Sequence, residues 1–225
     1  MSIQESYEKF LIEFNNHLSS INQKATLVGV SKTKPVADIL ALYKLGLRDF
    51  GENYAQELRD KIKNTIENYQ EIKWHYIGNI QKNKIKYVAG KTHLIHTVDT
   101  LKKAEAINAY CLKNKVIQSI LIQVNVSKDP NKAGTTLDKI EDLYKNILTL
   151  KAIKLDGLMT ITKYSEEPEF SREDYRKMKK LASSLENIDG KRLELSMGMS
   201  NDYKVALEEG ATIVRVGTKI FGERI

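Results

Sequence analysis

Short apolar runs alternate along the chain with longer stretches in which apolar residues recur every three or four positions. The longer stretches predict amphipathic helices, and the short runs, rich in Val, Ile and Leu, predict strands. Strands are predicted at 26–31, 47–51, 74–78, 94–98, 119–126, 155–161, 193–197 and 212–217. Helices are predicted at 36–46, 55–69, 100–114, 171–187 and 201–210, and one more, over 3–21, precedes the first strand.

Strands that alternate with helices indicate a parallel α/β sheet, and eight is the number of strands that closes a (β/α)8 barrel. We therefore predict a single-domain (β/α)8 barrel of TIM type over residues 1–225, with an extra N-terminal helix. The alternative is a doubly wound open sheet, which is disfavoured because no Gly-x-Gly-x-x-Gly motif follows the first strand. Helix N-caps are predicted at Asp99-Thr100 and at Ser171, and Gly46 suits a C-cap.

The composition restricts the classes of protein that fit. No apolar run approaches the roughly 18 residues of a membrane span, and the first residues lack the apolar segment of a secretory signal. The single cysteine, Cys111, excludes an internal disulfide, so we expect a cytoplasmic protein. The net charge of +7 allows an anionic partner, although the lysines are dense only in 81–91. Nucleic-acid binding through 81–91 is a weaker hypothesis, because a solvated helix face explains this stretch at least as well.

The junction between the first predicted strand and Ser31-Lys32 carries the strongest candidate chemistry. Ligands bind at the carboxyl ends of strands in α/β folds, and barrels have their active sites there. In a partly dry site, the pKa of a lysine falls from about 10.4, and the free amine can attack a carbonyl to form a Schiff base. The alternatives are that Lys32 is an ordinary solvated lysine, or that Lys34 forms the Schiff base, although Pro35 fixes Lys34 in the loop.

The last two predicted strands lead into loops that suit an anion. A small-residue loop, 196–200, precedes a predicted helix, and 217–218 repeats the arrangement after the last strand. Backbone N–H groups at such junctions bind phosphate, although ordinary βα turns explain the pattern equally well. Arg215 lies within an apolar strand, so it either pairs with a carboxylate such as Glu52 or Glu194 or contacts a ligand.

His75, in the third predicted strand, is a candidate acid–base group or cofactor contact. The alternative is a core histidine bonded to a backbone carbonyl. No cluster of His, Cys and carboxylates has the spacing of a metal site, and position suggests neither a Ser-His-Asp nor a Cys-His arrangement. We therefore expect no metal ion.

Eight segments, in order along nearly the whole chain, carry a family likeness. They are VSKTKP (30–35), FGENYAQE (50–57), WHYIGNIQKNK (74–84), HTVD (96–99), VNVSKDPNKAGT (124–135), GLMTI (157–161), LSMGMSNDYKVALEEGAT (195–212) and VRVGTKIFG (214–222). This combination resembles the pyridoxal phosphate homeostasis proteins, which are relatives of the amino-terminal barrel of alanine racemase. The resemblance implies a (β/α)8 barrel whose cofactor, pyridoxal 5′-phosphate, is held as a covalent aldimine (a Schiff base) on Lys32.

The resemblance also implies that Arg215 faces the pyridine nitrogen of the cofactor. It implies further contacts near the ring at Asn53 and to the phosphate at Ser200, Gly217 and Thr218. One departure is visible, because after Met-Ser the family commonly has an acidic residue, whereas this chain has Asn201 and then Asp202. This departure concerns the local helix cap.

An arginine facing the pyridine nitrogen disfavours its protonation, so the ring is a weak electron sink. In the racemases a second proton-transfer group, a tyrosine, comes from a carboxyl-terminal domain, and this chain ends at Ile225. We therefore expect a non-catalytic homeostasis protein that buffers pyridoxal phosphate for apo-enzymes, or delivers it to them, through transient contacts. The alternative is a low-activity amino-acid racemase that uses the same cofactor. We expect a monomer or a weak homodimer that contacts no membrane.

Overall fold

Eight parallel strands close into a barrel in the order in which they follow one another along the chain. The computed structural model describes residues 2–129 and 132–222. The strands are β1 Thr26–Val30, β2 Asp49–Glu52, β3 Lys73–Tyr76, β4 Leu94–Val98, β5 Gln118–Val124, β6 Ile153–Thr160, β7 Glu194–Ser196 and β8 Ile213–Val216. The predicted barrel is confirmed and the open-sheet alternative is wrong, because β8 pairs with β1 and closes the sheet. The ends of the predicted domain and two residues of the 124–135 segment, Pro130 and Asn131, lie outside the described residues.

Helices pack on the outside of the barrel and cover its wall. They are α1 Ile3–Ser20, α2 Val36–Lys44, α3 Ala55–Thr65, α4 Ile85–Val88, α5 Leu101–Asn114, α6 Ile140–Leu148, α7 Arg172–Asp189, α8 Tyr203–Glu208 and α9 Thr218–Phe221. All the predicted helices are present, and those predicted at 55–69 and 201–210 are shorter than expected. The sequence prediction omits α4 and α6, and it indicates α9 only as the start of a helix after 217–218. Within residues 2–129 and 132–222, no helix is long and apolar enough to cross a membrane.

The extra N-terminal helix, α1, begins with a reciprocal pair of hydrogen bonds. The Ser2 hydroxyl accepts from the Glu5 N–H at 3.2 Å, and the Glu5 carboxylate accepts from the Ser2 N–H at 2.7 Å. The buried face of α1 consists of Tyr7, Phe10 and Phe14. This apolar face holds α1 against α2 and α9, beside the closure between β8 and β1.

Of the predicted helix caps, Thr100 is confirmed, Gly46 is shifted by one residue, and Ser171 is at the predicted N-cap position but makes no capping hydrogen bond. The Thr100 hydroxyl accepts a hydrogen bond at 3.4 Å from an N–H in the first turn of α5. Gly46 lies one residue beyond the C-cap of α2, where its φ of +99° ends the helix. Ser171 makes no capping hydrogen bond with its side chain, and its hydroxyl instead donates to Asp202 at 3.1 Å.

The interior of the barrel combines an apolar layer with buried polar side chains. The apolar layer consists of Val28, Leu94, Leu121, Met159 and Ile213. The polar side chains in the barrel wall that are at most 4% exposed include His75, His96, Ser196 and Arg215. Branched apolar residues usually fill such interiors. Buried polar groups in their place require hydrogen-bond partners and are candidates for a functional role.

Candidate functional site

Five of the predicted cofactor contacts lie at the rim where the strands end. They are Lys32 after β1, Asn53 after β2, Ser200 after β7, and Gly217 and Thr218 after β8. The loops are neighbours because β1 pairs with β2 and with β8, and β7 pairs with β8. The structure therefore brings these five residues to one edge of the barrel.

Ser200 and Gly217, two predicted phosphate contacts, touch each other. The Gly217 N–H donates to the Ser200 hydroxyl at 3.3 Å, and α9 begins at the next residue, Thr218. A Cβ placed on Gly217 would lie no closer than 3.5 Å to its nearest neighbour, the side chain of Val30. Protein packing therefore does not require glycine here, and the space beside this backbone can admit an anion. We call Ser200, Gly217 and Thr218 the anion cradle.

Asp202 fixes the loop that carries Ser200. Its buried carboxylate accepts hydrogen bonds from the Tyr175 hydroxyl at 2.6 Å and from the Met199 N–H at 2.8 Å. Burial and the negative charge of Asp202 raise the pKa of Tyr175, so the phenol stays a donor. Asn201 donates to a backbone carbonyl at 2.9 Å. Asp202 therefore anchors the loop and makes no side-chain cap for α8.

The loop after β1 is tied to the end of α9. The Lys34 amine donates to the Phe221 carbonyl at 2.9 Å, which places the 31–35 loop against the helix that begins at Thr218. Lys32 is half-buried in the same loop. Across β2, the Asn53 Oδ1 atom is buried and has no hydrogen-bond partner within the described residues. A ligand donor would satisfy that oxygen.

Arg215 is 4% exposed and makes two hydrogen bonds inside the barrel. It donates to the Ser196 hydroxyl at 2.6 Å and to the Thr160 carbonyl at 2.9 Å. Neither Glu52 nor Glu194 pairs with it in the described part of the chain. Burial lowers the pKa of Arg215 to about 10, so it remains a cation at neutral pH. The ion pair with Glu52 or Glu194 considered from the sequence is thus absent from the described residues, and contact with a ligand stays a prediction.

Arg215 begins a hydrogen-bond chain that runs through the barrel. Ser196 contacts His96 Nδ1 at 2.8 Å, His96 Nε2 contacts His75 Nδ1 at 2.9 Å, and His75 Nε2 contacts Asp49 Oδ1 at 2.9 Å. Arginine only donates, so Ser196 accepts from it and donates to His96. At the other end, the Asp49 carboxylate accepts from His75 Nε2, so the chain places a proton on Nε2 of each histidine and leaves His96 Nδ1 as the acceptor from Ser196. Burial, together with the neighbouring His75 and Arg215, holds the pKa of His96 well below its ordinary value.

The structure does not bring His75 to the rim. Its ring points toward Asp49 at the start of β2, and both residues line a cavity of about 410 Å³ with Thr26, His93 and Lys73. Thr26 and Lys73 begin β1 and β3, so this cavity lies at the amino-terminal end of the barrel. His75 is therefore a buried link in the chain from Arg215, and we leave it out of the proposed cofactor site.

Two buried polar clusters near the rim are missing from the sequence prediction. One is the environment of Asp202, and the other joins Ser31 and Glu52 to Lys61 of α3. The spacing of Glu57 and Lys61 is a readable signal, because residues four apart share a helix face. A surface ion pair has the same spacing, however, so the burial of Lys61 could not be read from it.

The rim residues fit a phosphorylated aldehyde that contains a ring nitrogen. Lys32 supplies an amine, and the anion cradle supplies backbone and hydroxyl donors. Arg215 has five N–H groups, of which Ser196 and Thr160 engage two. Pyridoxal 5′-phosphate has an aldehyde, a phosphate and a pyridine nitrogen, so the residues present match its functional groups. Among the described residues, no group of three or more His, Cys, Asp or Glu side chains could hold a metal ion.

Comparisons with known proteins agree with this match. The family model for the alanine racemase N-terminal domain matches residues 13–225. The pyridoxal phosphate homeostasis protein of Aquifex aeolicus is 43% identical over 89% of this chain and 87% of that protein. The one from Schizosaccharomyces pombe is 39% identical over 95% and 90%. The structure of PipY from Synechococcus elongatus with PLP bound has a TM-score of 0.86 at 30% identity, covering 98% of this chain and 100% of that one.

Proposed function

The chain belongs to the pyridoxal phosphate homeostasis protein family, within the wider family of alanine racemase N-terminal domains, and on this premise we propose that it carries pyridoxal 5′-phosphate on Lys32. The Lys32 amine condenses with the aldehyde of the cofactor, one water molecule leaves, and addition of water reverses the bond. The protein holds the reactive aldehyde in the cytoplasm, keeps it from other amines and delivers it to apo-enzymes. It does not turn over a substrate.

The observation that carries the proposal is the shared position of Lys32 and the anion cradle at one rim. The phosphate is doubly charged at neutral pH in its main form, so N–H groups at the start of α9 and the Ser200 hydroxyl suit it. The relative PipY was solved with PLP bound. A cofactor whose phosphate lies at Ser200 and Gly217 would lie beside the end of β1, where the loop that carries Lys32 begins.

The hydrogen bonds of the loop support Lys32 over Lys34. The Lys34 amine donates to the Phe221 carbonyl and ties two loops together. Condensation at Lys34 would remove that ammonium from its acceptor. Lys32 lies two residues before Lys34, directly after Ser31 at the carboxyl end of β1.

Arg215 supports a non-catalytic role. A guanidinium with a pKa of about 10 stays protonated at neutral pH, and a cation facing the pyridine nitrogen disfavours protonation of the ring. An unprotonated ring withdraws electrons weakly, so a carbanion at the substrate carbon gains little stabilisation. The negative charge of Asp202 acts against the effect of burial and favours the charged form of Arg215.

The exposed apolar side chains of the rim support delivery to another protein. Four large side chains in loops that leave the rim are 36–78% exposed: Tyr54, Tyr164, Phe170 and Met199. Exposed apolar groups that cluster at one end of a protein are typical of an interaction surface. A recipient enzyme that covers this end would contact the same edge that holds the cofactor.

Transfer to an apo-enzyme tests the proposal. Protein loaded with pyridoxal phosphate is mixed with an apo-enzyme that depends on it, and the recovered enzyme activity is followed. We expect transfer from the wild type and from Lys34→Ala, and none from a Lys32→Ala protein that has been freed of unbound cofactor. Equal transfer from Lys32→Ala would contradict the proposal.

The racemase alternative is favoured by the match to the alanine racemase N-terminal domain. It predicts exchange of the α-proton of an amino acid with solvent, which NMR in deuterated water detects. Robust exchange that disappears in Lys32→Ala would show that the protein is an enzyme. We expect no exchange above that of free pyridoxal phosphate.

A further inference from the structure

A buried lysine of α3, Lys61, lies directly behind the loop that carries Lys32. It is 5% exposed, and its amine donates to the Ser31 carbonyl at 2.8 Å, to Glu52 Oε1 at 2.7 Å and to Glu57 Oε1 at 2.6 Å. An ammonium has three protons, so these bonds use all of them. Lys61 is therefore fully committed to the protein and has no proton left for a ligand.

The bonds of this cluster hold the backbone on both sides of Lys32. On one side, Lys61 binds the Ser31 carbonyl, and the Ser31 hydroxyl donates to Glu52 Oε1 at 2.5 Å. On the other side, the Thr33 N–H donates to Glu57 Oε1 at 2.7 Å. Lys32 is the one residue between these two anchors, so its backbone position follows from theirs.

Thr33 shows that the loop is held in a conformation that it would not adopt by itself. Its φ is +66°, a left-handed conformation that a β-branched residue rarely adopts. Such strain persists where surrounding contacts enforce it, and it concentrates at functional sites. The bond from Thr33 to Glu57 is a contact of this enforcing kind.

Stability alone does not account for the buried charges. Glu52 is fully buried, and its second oxygen, Oε2, has no hydrogen-bond partner within residues 2–129 and 132–222. Burial raises the pKa of Glu52, against the opposing effect of the Lys61 ammonium. Well-packed apolar side chains in place of a buried ion pair are often as stable or more so. The buried ion pair of Glu52 and Lys61 is therefore better explained by the backbone position that it enforces than by its effect on stability.

We propose that Glu52, Glu57 and Lys61 form a clamp that positions Lys32 for its bond to pyridoxal phosphate. Lys61 acts through the backbone of Ser31 and does not touch the cofactor, so it is a positioning residue. The inference rests on the proposed function. With the clamp in place, the Lys32 amine reaches the aldehyde while the phosphate is in the anion cradle. Without the clamp, the loop samples other conformations. The distance between the Lys32 amine and the anion cradle then no longer fits the distance between the aldehyde and the phosphate of the cofactor.

Lys61→Met tests the clamp, with Lys63→Met as the matched control. Methionine removes the ammonium and keeps an unbranched side chain, and Lys63 is an exposed lysine on the same helix. Binding of pyridoxal phosphate is followed by its absorbance in an equilibrium titration. Loss of the preorganised position of Lys32 weakens binding, and we expect Lys61→Met to raise Kd by about tenfold. Lys63→Met should bind like the wild type.

A purely structural role of Lys61 predicts a different pattern. It would lower the unfolding temperature and leave Kd unchanged at a temperature where the variant is folded, and that result overturns the clamp. The pH at which half of the bound cofactor is trapped by borohydride is a second readout. We expect Lys61→Met to shift this midpoint, because trapping depends on the environment of the Lys32 amine.

Glu57→Gln keeps the test decisive if Lys61→Met does not fold. The Glu57 side chain is 25% exposed, and glutamine keeps an acceptor for the Thr33 N–H while it removes the charge that holds Lys61. We expect a folded protein with a smaller rise in Kd, and an unchanged Kd would overturn the proposal. Failure of the proposed function looks different, because the wild type itself would then show no borohydride adduct on Lys32.

Discussion

Mild acid should destabilise this protein through a single buried ring, that of His96. The folded state holds His96 neutral, because Ser196 and His75 occupy both ring nitrogens in the chain that begins at Arg215. A proton added to His96 would put a second donor against the donating Ser196 hydroxyl, beside the charge of Arg215. Burial and these neighbours keep the pKa of His96 well below 6.5. Unfolding releases the ring, which then takes up a proton.

The size of the effect follows from the difference in proton binding. Below pH 6.5 the unfolded state binds one more proton at this position than the folded state. The free energy of unfolding is therefore complete above that pH and falls as the pH decreases. The loss is about 1.4 kcal/mol for each pH unit, which gives about 2 kcal/mol between pH 6.5 and pH 5. The exposed His93, whose pKa partial desolvation also lowers, adds a smaller loss in the same direction.

Urea unfolding of the wild type and of His96→Gln, each near neutral pH and at about pH 5, measures this contribution. Glutamine does not titrate, so the variant starts less stable and should lose about 2 kcal/mol less on acidification than the wild type. Carboxylates that titrate elsewhere are common to both proteins and cancel in the comparison. If the two proteins lose the same free energy, His96 does not stay neutral in the folded state, and the assigned chain of donors is wrong.

Three further predictions concern the cofactor site and the core. Ser200→Ala should raise the Kd for pyridoxal phosphate by about tenfold, the effect of one hydrogen bond to a charged group, and leave the Kd for pyridoxal unchanged. An equal rise in Kd for both ligands would show that Ser200 does not contact the phosphate. Arg215→Glu should favour protonation of the pyridine ring, and a bound cofactor whose absorbance does not change would show that Arg215 is not at the nitrogen. Leu58→Ala, at a fully buried position of α3, should lower the free energy of unfolding by about 2–5 kcal/mol in urea, and a loss below 1 kcal/mol would show poor packing there.

The barrel follows from the sequence because each strand and helix has a local signature. Alternating elements and a count of eight strands suffice, since parallel neighbours require crossover helices of this length. α6 has the same kind of signature, with Ile140, Leu143, Tyr144 and Ile147 buried at helical spacing, so its omission is a missed pattern. The helices α4 and α9 are a single turn each, too short for a period to be seen.

The rim residues could be placed from the sequence because a barrel sends every strand end to the same face. This topology is enough to group Lys32 with Ser200 and Gly217. It does not tell which way an interior side chain points along the barrel, and His75 points to the opposite end. Nor does it show that Lys61 is buried, because that depends on the packing of α3 against the ends of β1 and β2. Ser171 illustrates the same limit, since an acceptor distant in the sequence, Asp202, competes with the helix for its hydroxyl.

The central claim is that Lys32 carries pyridoxal phosphate, and chemical trapping tests it most directly. Borohydride reduces a Schiff base to a stable secondary amine, so the attachment survives digestion and can be located by peptide mass mapping. We expect the label on Lys32 in the wild type and in Lys34→Ala, and no label in Lys32→Ala. A label on Lys34, or no label in the wild type at saturating cofactor, would contradict the account.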